Sequence, residues 1–410
     1  MTAIDPATDP INDLLTPEAV RTRCTEILDI GLSGNLPWFA IDLSRLPDAI
    51  SRVVAEIQSN YPSLNVPFHS RWRHFELQGA DLWSDMTSAH NLTGERLAVA
   101  AGDLAIISVL LDAGAGSYWS YSDEPTGLRL GRSEGLALAS IRLFGSGTLS
   151  AFSDDPLRVD AAALTALTAK KLGEAFQVTD KNSLIGLNQR AGLLQKLGRV
   201  INEQKSFFAR DGSARPGNII PALAERNTIK ARDILVTLLQ TLAEIWPSPV
   251  KINGQPLGDV GYHDALLRTD PTNRIIPFHK LSQWMSYSLI EPIQEFSGKV
   301  SDLDGLTGLA EYRNGGLFVD TGVLTLKDKN KYAEAHPLPS ELIVEWRALT
   351  VALLDRLAEG VRHSLDMSAT DLPLASILQG GTWSAGRRIA AERRPDGGPP
   401  IQLVSDATVF

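Results

Sequence analysis

The chain of 410 residues contains a single cysteine, Cys24, and this scarcity excludes an internal disulfide and a metal site built from cysteines. No apolar run is long enough to cross a membrane. Residues 1–15 carry acids and prolines instead of the basic and apolar regions of a signal peptide, so we expect no targeting segment there. Together these features favour a protein of the reducing cytoplasm.

Basic residues are outnumbered by acidic ones, 39 against 48. The formal net charge is −9, which argues against a nucleic acid or an anionic membrane as the partner. A small molecule is therefore the expected partner, and the composition gives no indication of the oligomeric state.

Several catalytic signatures are missing. The sequence has no Gly-x-Gly-x-x-Gly or P-loop pattern, which excludes the common nucleotide-binding loops. It also has no Gly-x-Ser-x-Gly elbow, His-Glu-x-x-His zinc pattern or cysteine–histidine dyad. The leading enzymatic option is acid–base chemistry by carboxylates, and we expect neither a metal nor a cofactor.

Helical periodicity dominates what is present. Thr16-Pro17-Glu18 is a typical helix start, with an N-cap, a proline at the first position and an acid at the positive helix end. Asn253-Gly254 is a hairpin-type dipeptide and one of few strand signals. The sequence predicts a mainly α fold with short β-hairpin elements. Helices are expected over residues 46–57, 160–176, 183–205, 230–246, 278–296 and 340–363.

Composition suggests a linear division of the chain. Residues 1–15 are expected to form a flexible arm, and residues 391–410 an extended tail. A loop rich in glycine and proline, over residues 211–221, separates an N-terminal helical part (16–210) from a C-terminal helical part (222–390) of one large domain.

The densest group of chemical side chains is Glu311-Tyr312-Arg313, which a glycine pair and Asp320 follow. An acid beside an arginine stays ionised, and an acid in an apolar run is partly desolvated. Glu311 is therefore the first candidate for a catalytic carboxylate, followed by Asp320 and by Asp112, which ends another apolar run. The alternative is a surface ion pair and a turn.

Two segments combine aromatic residues with polar or small ones. Residues 67–76 carry His69 and two arginines, Arg71 and Arg73. The guanidinium groups of the two arginines match the oxygen geometry of a phosphate or carboxylate. Residues 111–121 place Tyr118 and Trp119, two stacking surfaces, after small residues. The alternatives are a solvated charged turn and a glycine-rich turn with aromatic core packing.

Three further segments complete the predicted site. His279, Lys280 and Gln283 open a helix whose face could meet a ligand, and Glu345 and Arg347 flank the buried stripe of another. A glycine-rich turn at residues 379–387 suggests an anion cradle. The alternatives are ordinary amphipathic helices and plain surface charges.

Taken together, these segments resemble the uracil-catabolism proteins of the URC pathway, a family long described as domain of unknown function 1688. The matching pieces are residues 66–75, 111–135, 276–292, 306–324, 345–354, 380–391 and 405–410. The resemblance implies a role in breaking down a pyrimidine to urea and a ribose fragment.

A second resemblance concerns mechanism. Phe278-His279-Lys280, Glu311-Tyr312-Arg313 and Glu345-Trp346-Arg347 are similar, in the same order, to motifs of the queuosine-phosphate N-glycosylases, mostly helical enzymes related in shape to DNA glycosylases. That family has an Asp where this chain has Glu311, and another where this chain has Ser288. Glu291, one turn beyond Ser288, is a candidate substitute.

The two resemblances imply a metal-independent N-ribosidase that hydrolyses a ribosylurea-type nucleotide to urea and a ribose or ribose phosphate. A non-catalytic pyrimidine-nucleotide-binding or regulatory protein, and a ribosyl transferase, are the alternatives. For the enzyme, we expect Asp112, Trp119, His279, Gln283, Glu311 and Arg313 to line one cavity.

Overall fold

The computed structural model describes residues 9–116, 118–210, 212–246 and 250–404. The chain divides into two units that are interleaved in sequence. In its described parts, the first unit comprises residues 9–69, 250–283 and 302–404, and the second unit comprises residues 70–246, except 117 and 211, and 284–301. The fold is mainly α with short strands, which confirms the predicted fold class.

Helices make up most of both units. They are α1 Pro10–Asp13, α2 Pro17–Leu32, α3 Leu46–Asn60, α4 Leu82–Ala89, α5 Gly94–Leu110, α6 Arg132–Gly145, α7 Ala161–Ala166, α8 Ala169–Ala175, α9 Leu187–Glu203, α10 Lys205–Phe208, α11 Ile219–Ala224, α12 Ala231–Leu242, α13 Lys280–Ser297, α14 Tyr312–Asp320, α15 Glu341–Leu365, α16 Leu374–Ile377 and α17 Trp383–Arg393. A π-helical turn, Leu378–Thr382, joins α16 to α17.

The strands of the described residues pair two by two. They are β1 Phe39–Ile41, β2 Glu76–Leu77, β3 Ala80–Asp81, β4 Tyr121–Asp123, β5 Leu128–Leu130, β6 Ala209–Arg210, β7 Ser213–Ala214, β8 Ile229–Lys230, β9 Lys251–Ile252, β10 Gln255–Pro256, β11 Val260–Tyr262, β12 Ile275–Pro277, β13 Val300–Ser301, β14 Leu324–Leu326, β15 Ala335–Pro337 and β16 Gln402–Val404. The pairs β1–β14, β2–β3, β4–β5, β6–β7, β9–β10 and β11–β12 are antiparallel, and β8–β13 and β15–β16 are parallel.

Local sequence signals set several of these boundaries. The Thr16 hydroxyl accepts the N–H of Ala19 at 3.2 Å and Pro17 begins α2, so the predicted helix start is confirmed. Asn253 and Gly254 both have positive φ angles, 52° and 81°, which a tight two-residue hairpin turn requires. The predicted hairpin is therefore confirmed as β9–β10.

The expected single helix over residues 160–176 is wrong, because it is broken into α7 and α8. Leu167 is extended, with φ −67° and ψ 124°, and the Thr168 hydroxyl then caps α8. The Asp160 carboxylate does not cap α7. It binds Arg158 at 2.8 Å and the Ser213 hydroxyl at 2.5 Å, so tertiary partners replace the predicted local role.

Both chain ends are partly described. The predicted arm begins with residues 1–8, which lie outside the described residues. After them, the Asp9 carboxylate caps α1, and Ile11 and Leu14 are buried in an apolar cluster with Leu257 and Ile275. In the predicted tail, β16 pairs with β15, and residues 405–410 lie outside the described part.

A single long helix organises the core of the first unit. Helix α15 packs against α2, α3 and α14, and α17 packs against α14. The predicted stripe of α15 is buried, as Leu342, Trp346, Leu349 and Leu353 show. Polar residues of α15 are therefore surrounded by protein as well.

Helix α5 is the centre of the second unit. All of its residues from Ala98 to Leu110 are buried, and it packs against α6, α9 and α11. In the part of the chain that the structure describes, no helix, α5 included, is long and apolar enough to cross a membrane.

Candidate active site

The start of α13 forms one side of a polar cluster in the first unit. The backbone carbonyl of Asp259, just before β11, accepts the N–H groups of Phe278 at 2.9 Å and His279 at 3.1 Å. The Asp259 carboxylate accepts the N–H of Lys280 at 3.0 Å. Pairing of β11 with β12 thus fixes the Phe-His-Lys motif against Asp259.

Asp259 also forms a bidentate ion pair with Arg347 of α15. The two N–O distances are 2.9 and 2.7 Å, and the guanidinium lies 4.1 Å from the centroid of the Phe278 ring. Burial alone would raise the pKa of Asp259, but the charge and hydrogen bonds of Arg347 bring it below its usual value. The Arg347 side chain is 6% exposed, so the surface-charge alternative is wrong for this residue.

One turn into α13, Gln283 is held at both ends of its amide. Its side-chain NH₂ group donates to the Thr307 hydroxyl, and its side-chain carbonyl accepts the backbone N–H of Thr307 at 3.1 Å. The backbone N–H of Gln283 donates to the carbonyl of His279 at 2.8 Å, which confirms that these two residues are one turn apart.

Glu311 is the N-cap of α14. Its two carboxylate oxygens accept the N–H groups of Arg313 at 2.8 Å and Asn314 at 2.7 Å. Burial raises the pKa of Glu311, against the lowering effect of these two bonds, of Lys280 and of Arg313. The pKa direction is thus opposite to the expectation that Arg313 would hold it down.

Arg313 and Asp320, the other candidates in this segment, form hydrogen bonds with other parts of the first unit. Arg313 donates to the carbonyl of Gly397 at 2.9 Å and lies over the ring of Tyr312, and its Nε has no partner among the described residues. Asp320 accepts two bonds from Arg394, at 2.7 and 2.6 Å. A carboxylate paired in this way is well placed to tie the end of α14 to the tail.

The Glu-Trp-Arg motif of α15 is fully enclosed. Glu345 is completely buried and accepts the N–H of Phe39 at 2.7 Å and a bond from His263 at 2.8 Å. The Trp346 indole donates to the carbonyl of Gly315 at 3.2 Å. These contacts hold α15 to β1, to the residue after β11 and to α14, and the surface-charge alternative for Glu345 is wrong.

The glycine-rich segment at residues 379–387, predicted as a turn, instead forms the π-helical turn and the start of α17, and it also contacts α14. The Thr382 hydroxyl donates to the side-chain carbonyl of Asn314 at 2.9 Å. A Cβ on Gly386 would lie 2.3 Å from the carbonyl oxygen of Arg313. Glycine is required here because α17 contacts the backbone of α14.

The glycine pair of α14 gives a stability prediction with a built-in control. A Cβ on Gly315 would lie 2.8 Å from the Trp346 indole nitrogen, whereas one on Gly316 would meet nothing closer than Pro400 at 3.3 Å. Gly315→Ala is therefore expected to lower the free energy of unfolding by about 1–3 kcal/mol. Gly316→Ala should change it by less than about 1 kcal/mol, because alanine favours the helix. Urea denaturation measures both, and equal effects would contradict this packing.

A second polar cluster lies in the second unit, around the fully buried Arg71. Its guanidinium donates to the Ser108 hydroxyl at 2.6 Å and pairs with Asp112 at 3.1 Å. The Ser133 hydroxyl donates to the same carboxylate at 2.5 Å. Burial lowers the pKa of Arg71, and Asp112 opposes that shift. The solvated-turn alternative is therefore wrong for Arg71.

Arg73 and the candidate substitute carboxylate are partners of each other. Arg73 donates to Glu291 at 2.7 Å, and the Ser70 hydroxyl donates to the other oxygen of Glu291, also at 2.7 Å. Ser288 accepts the N–H of Arg71 at 2.9 Å. Glu291 borders a small cleft of about 90 Å³ that includes Trp83 and Glu295.

The aromatic segment of the second unit has two different environments. Trp119 is buried, stacks on Phe176 and donates to its carbonyl at 2.9 Å, as the core-packing alternative predicts. Tyr118 is 81% exposed, and Ser117 lies outside the described residues. The turn before them is held by Arg190, whose guanidinium donates to the carbonyls of residues 111, 113 and 114.

The predicted site residues thus fall into two groups. His69, His279, Lys280, Gln283, Glu311, Tyr312, Arg313, Asp320, Glu345 and Arg347 belong to the first unit. Arg71, Arg73, Asp112, Tyr118 and Trp119 belong to the second. Within the first unit, the His69 side chain forms a hydrogen bond with the side chain of Gln379 at 3.0 Å. A single cavity lined by residues of both groups stays a prediction.

Sequence reasoning missed Asp259, Thr307 and Arg190. Asp259 directly precedes β11, and a single acid before a short strand is a weak sequence signal. Also unpredicted is a cleft of about 270 Å³ in the first unit, lined by Pro10, Asp13, Glu18, Ala19, Thr22, Arg23, Arg268 and Asp270.

Known proteins are similar in sequence to this chain over almost its full length. Residues 13–410 match the model of a family described as "Protein of unknown function (DUF1688)". Protein urg3 of Schizosaccharomyces pombe is 39% identical over 416 residues, which cover 98% of this chain and 100% of that protein. Uracil catabolism protein 4 of Lachancea kluyveri is 34% identical over 441 residues, which cover 98% of this chain and 99% of that protein. These matches confirm the predicted family, and the chain belongs to the DUF1688 proteins.

Proposed function

We propose that this protein acts in pyrimidine catabolism and hydrolyses the N-glycosidic bond of a ribosylurea-type nucleotide, giving urea and ribose phosphate. The name of the Lachancea kluyveri relative supports the pathway. The resemblance to uracil-catabolism proteins and to N-glycosylases supports the reaction, because releasing urea from a ring-opened pyrimidine nucleotide requires cleavage of that bond.

The observation that carries the proposal is the meeting of three separated motifs in the first unit. Arg347 lies over Phe278, and the Trp346 indole donates to Gly315 in the helix that Glu311 caps. The charge of Lys280 lowers the pKa of Glu311 against the effect of burial. These are the motifs that resemble the N-glycosylases. Buried polar groups that meet from distant segments are typical of an active site.

The proposed chemistry needs a carboxylate beside the sugar. The transition state resembles an oxocarbenium ion, which a nearby negative charge stabilises. Glu311 remains our first choice, since it opens the Glu-Tyr-Arg motif, and two backbone N–H groups and Lys280 partly offset the raising effect of burial on its pKa. Asp320 and Asp112 follow it, although each is already paired with an arginine.

A binding or regulatory protein is the second candidate, and one observation favours it. Each of the three candidate carboxylates has a structural partner: the first turn of α14 for Glu311, Arg394 for Asp320 and Arg71 for Asp112. Such a protein would bind the nucleotide without converting it.

Urea release by the purified protein distinguishes these functions. We expect urea from ribosylurea 5-phosphate and none from uridine 5-phosphate, whose ring is closed. Binding of ribosylurea 5-phosphate without any urea would favour the regulatory protein instead.

Arg313 is the first candidate for holding the phosphate, because its Nε has no partner among the described residues, while Arg73 is bound to Glu291 and Glu76. Lysine keeps the charge but loses the guanidinium fork. Arg313→Lys should weaken binding of ribosylurea 5-phosphate by about 1–3 kcal/mol in calorimetry. Arg52→Lys, in an exposed pair with Glu392, is the control. Unchanged affinity in Arg313→Lys, Arg71→Lys and Arg73→Lys would dismiss the arginine assignment.

A further inference from the structure

His279 has an unusual backbone and an unusual side chain. Its φ angle of 48° lies in the left-handed region, which residues other than glycine rarely adopt. The carbonyl of Asp259 holds its N–H group, and its own carbonyl accepts the N–H of Gln283 at 2.8 Å. Strained residues that are fixed in this way concentrate at functional sites.

The hydrogen bonds of the imidazole determine its tautomer. Nε2 lies 2.8 Å from the carbonyl oxygen of Leu14, which can only accept a hydrogen bond, so Nε2 carries the proton and donates it. Nδ1 of a neutral ring is then a bare acceptor. This atom is buried and has no partner among the described residues.

The surroundings favour the neutral ring, and Asp259 is the charge that opposes this. Burial lowers the pKa of His279, opposed by the bond to Leu14 and by Asp259, while Arg347 adds to the lowering. The charge of Asp259 favours the protonated ring, although this carboxylate is already paired with Arg347. A neutral histidine with a bare nitrogen and a nearby acid is suited to general-base catalysis.

We propose that His279 is the general base of the proposed hydrolysis, with Nδ1 taking a proton from the attacking water; this inference rests on the proposed function. The water oxygen bonds to the anomeric carbon, and the electrons of the broken carbon–nitrogen bond go to the urea nitrogen. The proton on Nδ1 then passes to that nitrogen. Atoms and charges balance with water as the only co-reactant, and His279 is regenerated.

Replacing His279 by glutamine tests the roles of the two ring nitrogens separately. The side-chain amide of His279→Gln can still donate to Leu14, but no basic atom remains near the position of Nδ1. His336 offers a matched control, because its Nε2 also lies 2.8 Å from a backbone carbonyl, that of Lys331. We expect His279→Gln to fold and to lose about 10²-fold or more in kcat with little change in KM. His336→Gln should keep the wild-type kcat.

Turnover of His279→Gln at the wild-type rate, while the wild-type protein releases urea, would overturn this inference alone. A wild-type protein that releases no urea would overturn the proposed function and the inference together.

Should His279→Gln not fold, nitrogen NMR of the wild-type protein with labelled histidine gives a second test. The Nδ1 resonance of His279 should be that of an unprotonated nitrogen and should shift on saturation with ribosylurea 5-phosphate. A protonated Nδ1, or a resonance that does not respond, would overturn the assignment.

Discussion

Arg347→Met is expected to lower the free energy of unfolding by about 3–5 kcal/mol, because it leaves the buried carboxylate of Asp259 without its cation. The pair is bidentate, and the two side chains are 6% and 10% exposed. Methionine fills much of the arginine volume, so lost packing contributes little. Urea denaturation followed by circular dichroism measures the change.

Two further variants separate charge from packing. Arg52→Met removes an exposed partner of Glu392 and should cost less than about 1 kcal/mol. Adding Asp259→Asn to Arg347→Met should recover part of the loss, since the uncompensated charge is then gone. If Arg347→Met alone costs as little as Arg52→Met, the ion pair does not stabilise the first unit.

Replacement of Glu311 should reduce turnover by about 10²-fold or more, the scale of one electrostatic contact in the transition state. Glu311→Gln removes the charge and also one of the two acceptors for the N–H groups of Arg313 and Asn314. Loss of the cap should lower the free energy of unfolding by about 0.5–2 kcal/mol. The assay is urea release, and substrate binding should survive.

Glu311→Ser distinguishes catalysis from capping. Serine is a favoured N-cap, so this variant should retain the stability of α14 while it loses the carboxylate. Low turnover in both variants supports a catalytic Glu311. Wild-type turnover in Glu311→Ser would make it a helix cap and direct attention to Asp320 and Asp112. Full activity in the amide variants of all three residues would contradict a carboxylate mechanism.

Features that depend on neighbours in sequence were predictable in this chain. Thr16 and Asn253 act through bonds and angles within a few residues, and both predictions are confirmed. The apolar stripe of α15 follows from helical spacing in the same way. The family also followed from the motifs, because short segments with fixed order are specific even when their contacts are unknown.

Features that depend on distant partners were not predictable. Asp160 is bound by Arg158 and by Ser213, far along the chain, and the helix after it breaks. The proximity of Arg313 suggested a lowered pKa for Glu311, but burial outweighs that charge. Asp259 pairs with Arg347 across 88 positions, and no pattern in one sequence reveals such a pair.

The most direct test of the proposed function follows ribosylurea 5-phosphate, labelled with ¹³C at the anomeric carbon, by NMR in plain buffer with the purified protein. Hydrolysis predicts that ribose 5-phosphate appears at the rate at which the substrate disappears, with one urea for each ribose 5-phosphate and no other acceptor present. A substrate that binds but stays unchanged, or that reacts only when another acceptor is added, would contradict hydrolysis by this protein.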